Sequence, residues 1–304
     1  MTNSVGLLFP GQGSQSVGMG RPLYDADAHV RSLYEEASVV LGFDVAQLCF
    51  EGPAEKLNLT EYTQPALLVT SLAALSLMQQ TQHSLGEYSA IVAAGGLTYS
   101  HAVKLVQKRG QYMADAVAPG KGLVAAVLGL SEEEVDRACQ DAQSYGVVAP
   151  ANFNCPGQIV IAGEKVAVER VITLLKERGA RRVMPLPVSV PVHTPLMKVA
   201  ADRLQSDIDS VDWSDLKIPL INNADAHSIS KVDEVRASLI KQLPSSVQWG
   251  KSINKMAEMG IDTFIEVGPG KVLAGLVKRI LPESLILNVN DVESFMAVRS
   301  KLAV

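Results

Sequence analysis

The sequence predicts an α/β fold with a mainly parallel sheet and a small domain inserted into it. Two short apolar runs each lead into a glycine-containing loop, residues 5–9 before 10–15 and residues 262–267 before 268–271. Strands of an open α/β sheet end in this way at their carboxyl ends. Apolar residues at helical spacing between these runs predict helices. A third observation is that residues 122–187 have the order strand, helix, strand, strand, helix, strand.

The composition is that of a globular protein with one large core or two unequal domains, since 47% of the 304 residues are hydrophobic and 19% are charged. A net charge of -5 gives no general attraction to nucleic acid. Cys49, Cys139 and Cys155 form no Cys-x-x-Cys pair, so neither a disulfide framework nor a zinc site is indicated. No apolar stretch reaches about 20 residues, and residues 1–4 lack the basic start of a secretory signal. We therefore expect no membrane association and a cytoplasmic location.

The first strand, Val5–Phe9, is followed by the loop Pro10–Gln15. Its glycines do not fit a dinucleotide fingerprint, because Ser16 stands where the third glycine is required. Gln12 lies between two glycines, so its backbone is free to approach another loop and its N–H can point at an anion. The alternative is a simple glycine turn with solvated glutamines.

Helical patterns follow in the first half of the chain. Pro65 suits the first turn of a helix, and Thr98 suits an N-cap. The predicted helices are Leu23–Leu41, Pro65–Met78 and Tyr99 to about Val117.

The last of these helices carries a charged residue on its apolar face. Arg109 falls at helical spacing with four apolar residues, Ala102, Leu105, Val106 and Met113. One interpretation is an arginine that extends to solvent or pairs with a core carboxylate. The other is a guanidinium that binds the carboxylate of a dicarboxylic acyl group in an apolar pocket.

Residues 83–90, His-Ser-Leu-Gly-Glu-Tyr-Ser-Ala, resemble the nucleophile elbow of α/β-hydrolase-like enzymes, with Ser84 as the nucleophile. Gly86 fills the second glycine of Gly-x-Ser-x-Gly, but Gln82 occupies the first. No strand fits before Ser84, because the preceding segment has a helical pattern that ends in polar residues. A strand and a short loop would need about ten more residues. We therefore expect that a segment ending in glycine is missing between Gln82 and His83.

Residues 122–187 are predicted to form a ferredoxin-like small domain. It would divide the α/β-hydrolase-like core into residues 1–121 and 188–304 and form a cleft with it. Ser131 and Glu134 make a capping box for its first helix. Its predicted elements are a strand at 123–128, a helix from 131 to about 143, strands at 147–149 and 158–162, a helix at 165–178 and a strand at 181–186.

Among five histidines, only His193 ends an extended segment, Val188–His193, at a predicted helix start, with Thr194 as the cap and Pro195 in the first turn. A buried structural imidazole is the alternative. Near the C-terminus, a Walker phosphate loop is excluded around Gly268–Lys271, because Ile265 and Val272 occupy motif positions that require glycine and Ser/Thr.

Several stretches together resemble the malonyl-CoA:acyl carrier protein transacylases of fatty-acid synthesis. Their order and spacing are more specific than any one of them. They are residues 9–15, 83–90, 108–110, 152–163, 185–197, 247–249 and 266–272.

The resemblance implies a role for each matching residue. Ser84 would be the nucleophile and His193 its base, and the backbone N–H groups of Gln12 and Leu85 would form the oxyanion hole. Arg109 would hold the malonyl carboxylate, with Met113 beside it in the substrate pocket. The backbone carbonyl of Gln242 would orient the histidine. Malonyl-CoA and acyl carrier protein would be the partners, and no cofactor or metal is implied.

One departure from the family pattern and two other function classes remain open. Val192 stands where the family usually has serine, which could tighten the acyl pocket. A serine esterase or thioesterase would share the elbow. If the segment before His83 is deleted, the chain would instead be a non-catalytic relative that only binds carrier protein. Basic candidates for contact with an acidic carrier protein are Arg181, Arg182, Lys271, Lys278 and Arg279.

Overall fold

The computed structural model describes residues 5–76, 85–188 and 190–302. Within these ranges the strands are β1 Val5–Leu8, β2 Gly122–Leu128, β3 Val148–Cys155, β4 Gln158–Glu164, β5 Arg182–Pro185, β6 Leu220–Ile221, β7 Ser228–Ile229, β8 Thr263–Val267 and β9 Leu285–Val289. The α-helices are α1 Arg21–Ala26, α2 Ala28–Leu41, α3 Val45–Glu51, α4 Ala54–Leu57, α5 Thr60–Ser76, α6 Leu85–Ala93, α7 Tyr99–Asp115, α8 Glu132–Asp141, α9 Lys165–Glu177, α10 Lys198–Asp209, α11 Val232–Gln242, α12 Trp249–Glu258, α13 Val272–Ile280 and α14 Val292–Leu302. Single 3-10 turns span Gln143–Tyr145 and Pro195–Met197.

The larger core is built on the parallel sheet β1-β8-β9. All five residues of β8, the central strand, are buried, as expected for a parallel strand covered on both faces. The sequence prediction of strands at residues 5–9 and 262–267 is confirmed. The loops that follow β1 and β8 leave the same edge of the sheet, and Gly268 lies against Pro10 there. None of the helices in the described ranges is long and apolar enough to cross a membrane.

The second sheet is antiparallel, with the order β3-β4-β2-β5. Helices α8 and α9 pack on it around their own cluster of buried apolar residues. The capping box predicted at Ser131 and Glu134 is present in both directions. The predicted order of strands and helices in residues 122–187 is therefore confirmed.

Two predicted helices differ from the structure. The segment 23–41 is broken at Asp27, whose extended backbone leaves its carboxylate free to accept hydrogen bonds from the N–H groups of His29 and Val30. Helix α5 begins at Thr60, so the prediction that Pro65 lies in a first turn is wrong. Pro65 is buried together with the rest of residues 63–75 of α5, and this packing outweighs the loss of one helical hydrogen bond.

The expected extended run ending at His193 is also wrong. Residues 190–194 form bends and a turn, and His193 has φ +59°, a left-handed conformation that is uncommon for a residue with a Cβ. The Thr194 side chain makes no capping hydrogen bond to the following turn. Its hydroxyl donates to the carbonyl of Pro191 at 2.7 Å.

Backbone hydrogen bonds join the antiparallel sheet to the segment after α11. The N–H of Phe153 donates to the oxygen of Val247 at 2.9 Å, and the N–H of Val247 donates to the oxygen of Ala151 at 2.8 Å. Ser246 adds a hydrogen bond from its hydroxyl to the carbonyl of Pro150. Strand β3 therefore fixes the chain just beyond Gln242.

Candidate active site

His193 is held by a main-chain oxygen at the C-terminal end of α11. Its Nδ1 lies 3.0 Å from the carbonyl oxygen of Gln242. A carbonyl can only accept a hydrogen bond, so Nδ1 carries the proton and the neutral ring keeps its lone pair on Nε2. This is the tautomer that a general base needs.

The surroundings keep this imidazole neutral. Burial, and secondarily the positive charge of Arg109, lower the pKa of His193 to about 4, while hydrogen bonds to the carbonyls of Gln242 and Ser245 act in the opposite direction. At neutral pH the ring is therefore unprotonated and able to accept a proton.

Arg109 lies on the buried face of α7 and is only 5% exposed. Gly110 lets α7 approach α5 closely, since a Cβ there would lie 2.8 Å from Cα of Glu61. This approach brings Nη1 of Arg109 to 2.8 Å from Oε1 of Gln64, and Nη2 lies 2.9 Å from Oε1 of Gln242. Arg109 does not extend to solvent, and among the described residues its hydrogen bonds go to glutamines and not to a carboxylate. The first interpretation of this arginine is therefore wrong.

The guanidinium keeps unused hydrogen-bonding capacity. Among the described residues, Nε of Arg109 has no partner, and each terminal nitrogen uses one of its two N–H groups on a glutamine. Burial lowers the pKa of Arg109, whereas Tyr88 and Glu87 act to raise it. A buried cation bonded only to neutral oxygens is suited to receive a carboxylate.

Met113 lies one turn after Arg109 and is 2% exposed. Its sulfur accepts a hydrogen bond of 3.4 Å from Nε2 of Gln64, so this glutamine joins Met113 to Arg109. The predicted apolar stripe of Ala102, Leu105, Val106 and Met113 is buried throughout, as its helical spacing predicts.

Gln12 and Leu85 were predicted to supply backbone N–H groups. The side chain of Gln12 is directed to α5, where its Nε2 donates to Oγ1 of Thr60 at 3.1 Å. Leu85 is the first residue of α6, and N–H groups in a first helical turn have no intrahelical acceptor. Gly86 brings this turn against Phe9, the residue that follows β1, since a Cβ there would lie 2.6 Å from the carbonyl oxygen of Phe9.

Ser84, His83 and Gln82 lie outside the described residues, and with them the expected break in the chain. Ser84 immediately precedes α6 in sequence.

Two residues of this site were missed by the sequence analysis. Gln64 and Glu87 are both buried, and both contact the Arg109 network. The available signal was a polar side chain close to an apolar run, as in α5 and α6, because such a group needs hydrogen-bond partners once it is buried. Nothing in the sequence named those partners.

The family model described as acyl transferase domain matches residues 7–298. The chain is 45% identical to the malonyl CoA-acyl carrier protein transacylase of Escherichia coli, over 97% of this chain and 98% of that protein. It is 44% identical to the Bacillus subtilis protein of the same name, over 96% and 95%.

Solved structures of malonyl transferases are also similar to this chain. An acyl carrier protein S-malonyltransferase from Vibrio cholerae has a TM-score of 0.93 at 47% identity and covers 97% of this chain and 99% of its own. A malonyl-transacylase in complex with its type II PKS acyl-carrier protein has a TM-score of 0.96 at 41% identity, over 98% of this chain and 100% of its own.

The Escherichia coli comparison also bears on chain length. Its alignment spans 305 positions, whereas 97% of 304 residues is about 295 residues. About ten positions are therefore filled only in the relative.

Proposed function

The chain belongs to the acyl transferase domain family, and we propose that it transfers malonyl from malonyl-CoA to the phosphopantetheine thiol of an acyl carrier protein. It is an acyltransferase, and its relatives of about 45% identity carry the malonyl transacylase name. One structural observation supports the malonyl assignment above the others. Gln242 holds the base candidate His193 through its main chain and the cation Arg109 through its side chain.

In the first half-reaction, Nε2 of His193 takes the hydroxyl proton of Ser84 while Oγ attacks the thioester carbon. The carbonyl oxygen becomes an oxyanion that the N–H groups of Gln12 and Leu85 stabilise, and one such donor contributes about 3 kcal/mol. The intermediate then expels the CoA sulfur, which takes the proton from His193 and leaves as a thiol. Malonyl remains on Ser84 as an ester.

The second half-reaction uses the same groups. His193 takes the proton of the phosphopantetheine thiol, and the sulfur attacks the malonyl ester. Collapse of the second oxyanion returns the proton to Ser84 and releases malonyl-carrier protein. The acyl enzyme lies between the two steps, so the kinetics are ping-pong.

The neutral state of His193 supports this order of reaction steps. A histidine that is unprotonated at neutral pH can accept the Ser84 proton without first losing one of its own. Arg109 supports the choice of a dicarboxylic acyl group. A malonyl carboxylate can bind the unused N–H groups of the guanidinium and gives the buried cation a direct counter-ion.

We also propose the finer description of the fold, an α/β-hydrolase-like core of residues 1–121 and 188–304 with a ferredoxin-like domain at 122–187. The strand order of the antiparallel sheet and the order of its helices support the second part. We likewise propose a cytoplasmic location, which the resemblance to the fatty-acid synthesis enzymes implies.

The carrier protein would approach a surface that carries basic residues. Of the candidates, Arg279 already contacts the carbonyl of Pro156 and the side chain of Gln158, so it joins α13 to the β3–β4 turn. Lys278 contacts the carbonyl of Pro282. This leaves Arg181, Arg182 and Lys271 as the proposed contacts.

The experiment is intact-mass spectrometry after incubation with malonyl-CoA. We expect one malonyl group on the parent protein, none on Ser84→Ala, and parent-like labelling of the control Ser100→Ala, which lies on α7. Addition of holo acyl carrier protein should remove the label faster than water does.

Two outcomes would contradict the proposal. A label that water removes as fast as the thiol identifies an esterase or thioesterase. A folded parent protein that takes no label and transfers no malonyl indicates a non-catalytic relative, and the shortfall of about ten positions makes this direct test necessary.

A further inference from the structure

Glu87 is a fully buried carboxylate behind Gln242. It lies on α6 with 0% exposure and accepts three hydrogen bonds. Oε1 accepts from the hydroxyl of Ser238 at 2.9 Å, and Oε2 accepts from Nε2 of Gln242 at 2.6 Å and from the N–H of Asn223 at 3.3 Å. All partners on Oε2 are pure donors, which favours an ionised carboxylate.

The Gln242 amide has only one orientation that satisfies its two neighbours. On one side the Glu87 carboxylate accepts hydrogen bonds, and on the other the Arg109 guanidinium only donates them. The NH2 group must therefore face Glu87 and the oxygen must face Arg109, as observed. Reversing this amide would break both bonds at once.

The cluster also balances charge without direct contact between the ions. Burial raises the pKa of Glu87, against the effect of its hydrogen bonds and of Arg109. The anion and the cation are separated by one amide, so the guanidinium is compensated in the buried site but keeps N–H groups for a substrate. A direct salt bridge would occupy those groups.

We propose that Glu87 is a positioning residue for acyl selectivity, which acts through the Gln242 amide to hold Arg109 where it meets a malonyl carboxylate. This inference rests on the proposed function, since malonyl is the acyl group concerned. It gives Glu87 no direct contact with substrate and no role in proton transfer.

The decisive variants differ in whether residue 87 can accept a hydrogen bond. Glu87→Leu cannot, so the Gln242 amide is released and Arg109 loses its fixed acceptor. We expect kcat/KM for malonyl-CoA to fall about tenfold to a hundredfold, as for a lost bond to a charged group, mainly through KM. Acetyl-CoA, which has no carboxylate, should keep its slow rate within about threefold, roughly 0.7 kcal/mol.

Glu87→Gln is the rescue variant. Its amide oxygen still accepts from Gln242, and its NH2 group can donate to the Ser238 hydroxyl. We expect it to keep most of the malonyl preference. Ser238→Ala is the matched control within the cluster, because it removes one bond to Glu87 and leaves the Gln242 bond in place.

A double-mutant cycle with Gln242→Met tests the route of action, since this variant keeps the carbonyl that holds His193. If Glu87 acts through the amide, Glu87→Leu adds no further loss of malonyl preference to Gln242→Met. Additive losses would overturn the inference. Equal losses for malonyl and acetyl groups would also overturn it, because they indicate a merely structural role.

Crystal structures of the variants provide a readout without turnover. The bond between Nη2 of Arg109 and Oε1 of Gln242 should be lost in Glu87→Leu and retained in Glu87→Gln. If Glu87→Leu does not fold, Gln242→Met and Glu87→Gln still give the two predicted selectivities. A parent protein without malonyl transfer contradicts the proposed function, whereas an unchanged Arg109 in a folded Glu87→Leu contradicts only the role of Glu87.

Discussion

Nδ1 of His193 lies 3.0 Å from the main-chain oxygen of Gln242, so a neutral carbonyl holds the imidazole where the serine-protease triad uses a carboxylate. A carboxylate would favour the protonated ring strongly, whereas the neutral carbonyl selects the tautomer and raises the pKa of His193 by less than burial and Arg109 lower it. The lowered pKa of His193, about 4, follows from burial and the nearby positive charge of Arg109.

The pH dependence of transfer should reflect this arrangement. We expect kcat/KM to rise with pH to a plateau with an apparent pKa of about 4, since this parameter reports the free enzyme, well below the ordinary histidine pKa of about 6.5. The profile measured with acetyl-CoA should fall at the same low pH. Acetyl has no carboxylate, so this comparison distinguishes titration of His193 from titration of the malonyl carboxylate. An apparent pKa near 6.5 would contradict the assignment, and His29→Gln on α2 serves as the control.

The lowered pKa of His193 should also make the free energy of unfolding depend on pH. Between pH 4 and 6.5 the unfolded chain protonates this histidine and the folded protein does not. The unfolded state therefore binds more protons, so this contribution to stability falls as pH decreases through the window, by up to about 1.4 kcal/mol per pH unit. The difference in unfolding free energy between the parent and His193→Gln isolates it from other groups. A pH-independent difference would show that the ring is not held neutral.

Arg109→Ala should change acyl selectivity more than acyl transfer itself. Loss of the charged hydrogen bonds to the malonyl carboxylate should lower kcat/KM for malonyl-CoA about a hundredfold, equivalent to about 3 kcal/mol. Transfer of acetyl should be retained or increase. Lys108→Ala is the matched control, because Lys108 is the preceding residue and contacts Asp207 at the exposed side of α7. Undiminished malonyl transfer by Arg109→Ala, without gain on acetyl, would remove the carboxylate role.

The sequence could predict the parts of this protein that depend on neighbouring residues. The strand and helix order of residues 122–187 and the capping box at Ser131 come from local spacing, and the structure confirms them. Arg109 was found because its position on the apolar face of α7 is also a local property.

The hydrogen-bond partners of Arg109 could not be found from local spacing. Gln64 and Gln242 lie 45 and 133 residues from Arg109 along the chain, and Glu87 lies 155 residues from Gln242. Local patterns contain no information about such pairs. Tertiary packing also overrode the helix start expected at Pro65 and placed His193 in a turn with positive φ rather than at a strand end.

Gly110 supplies a test of how helix packing positions the site. A methyl group at this residue would lie 2.8 Å from Cα of Glu61 and 2.9 Å from the carbonyl oxygen of Thr60, both backbone atoms that cannot turn aside. Gly110→Ala should therefore destabilise the protein by about 1–3 kcal/mol and raise KM for malonyl-CoA, because α7 moves away from Gln64. Gly275→Ala is the control within α13, where no atom lies within 4 Å of the added methyl and a gain of about 0.5–1 kcal/mol is expected. The unfolding free energies of both variants, measured by chemical denaturation, test this packing. Equal stabilisation by both alanines would mean that α5 and α7 are not in close backbone contact.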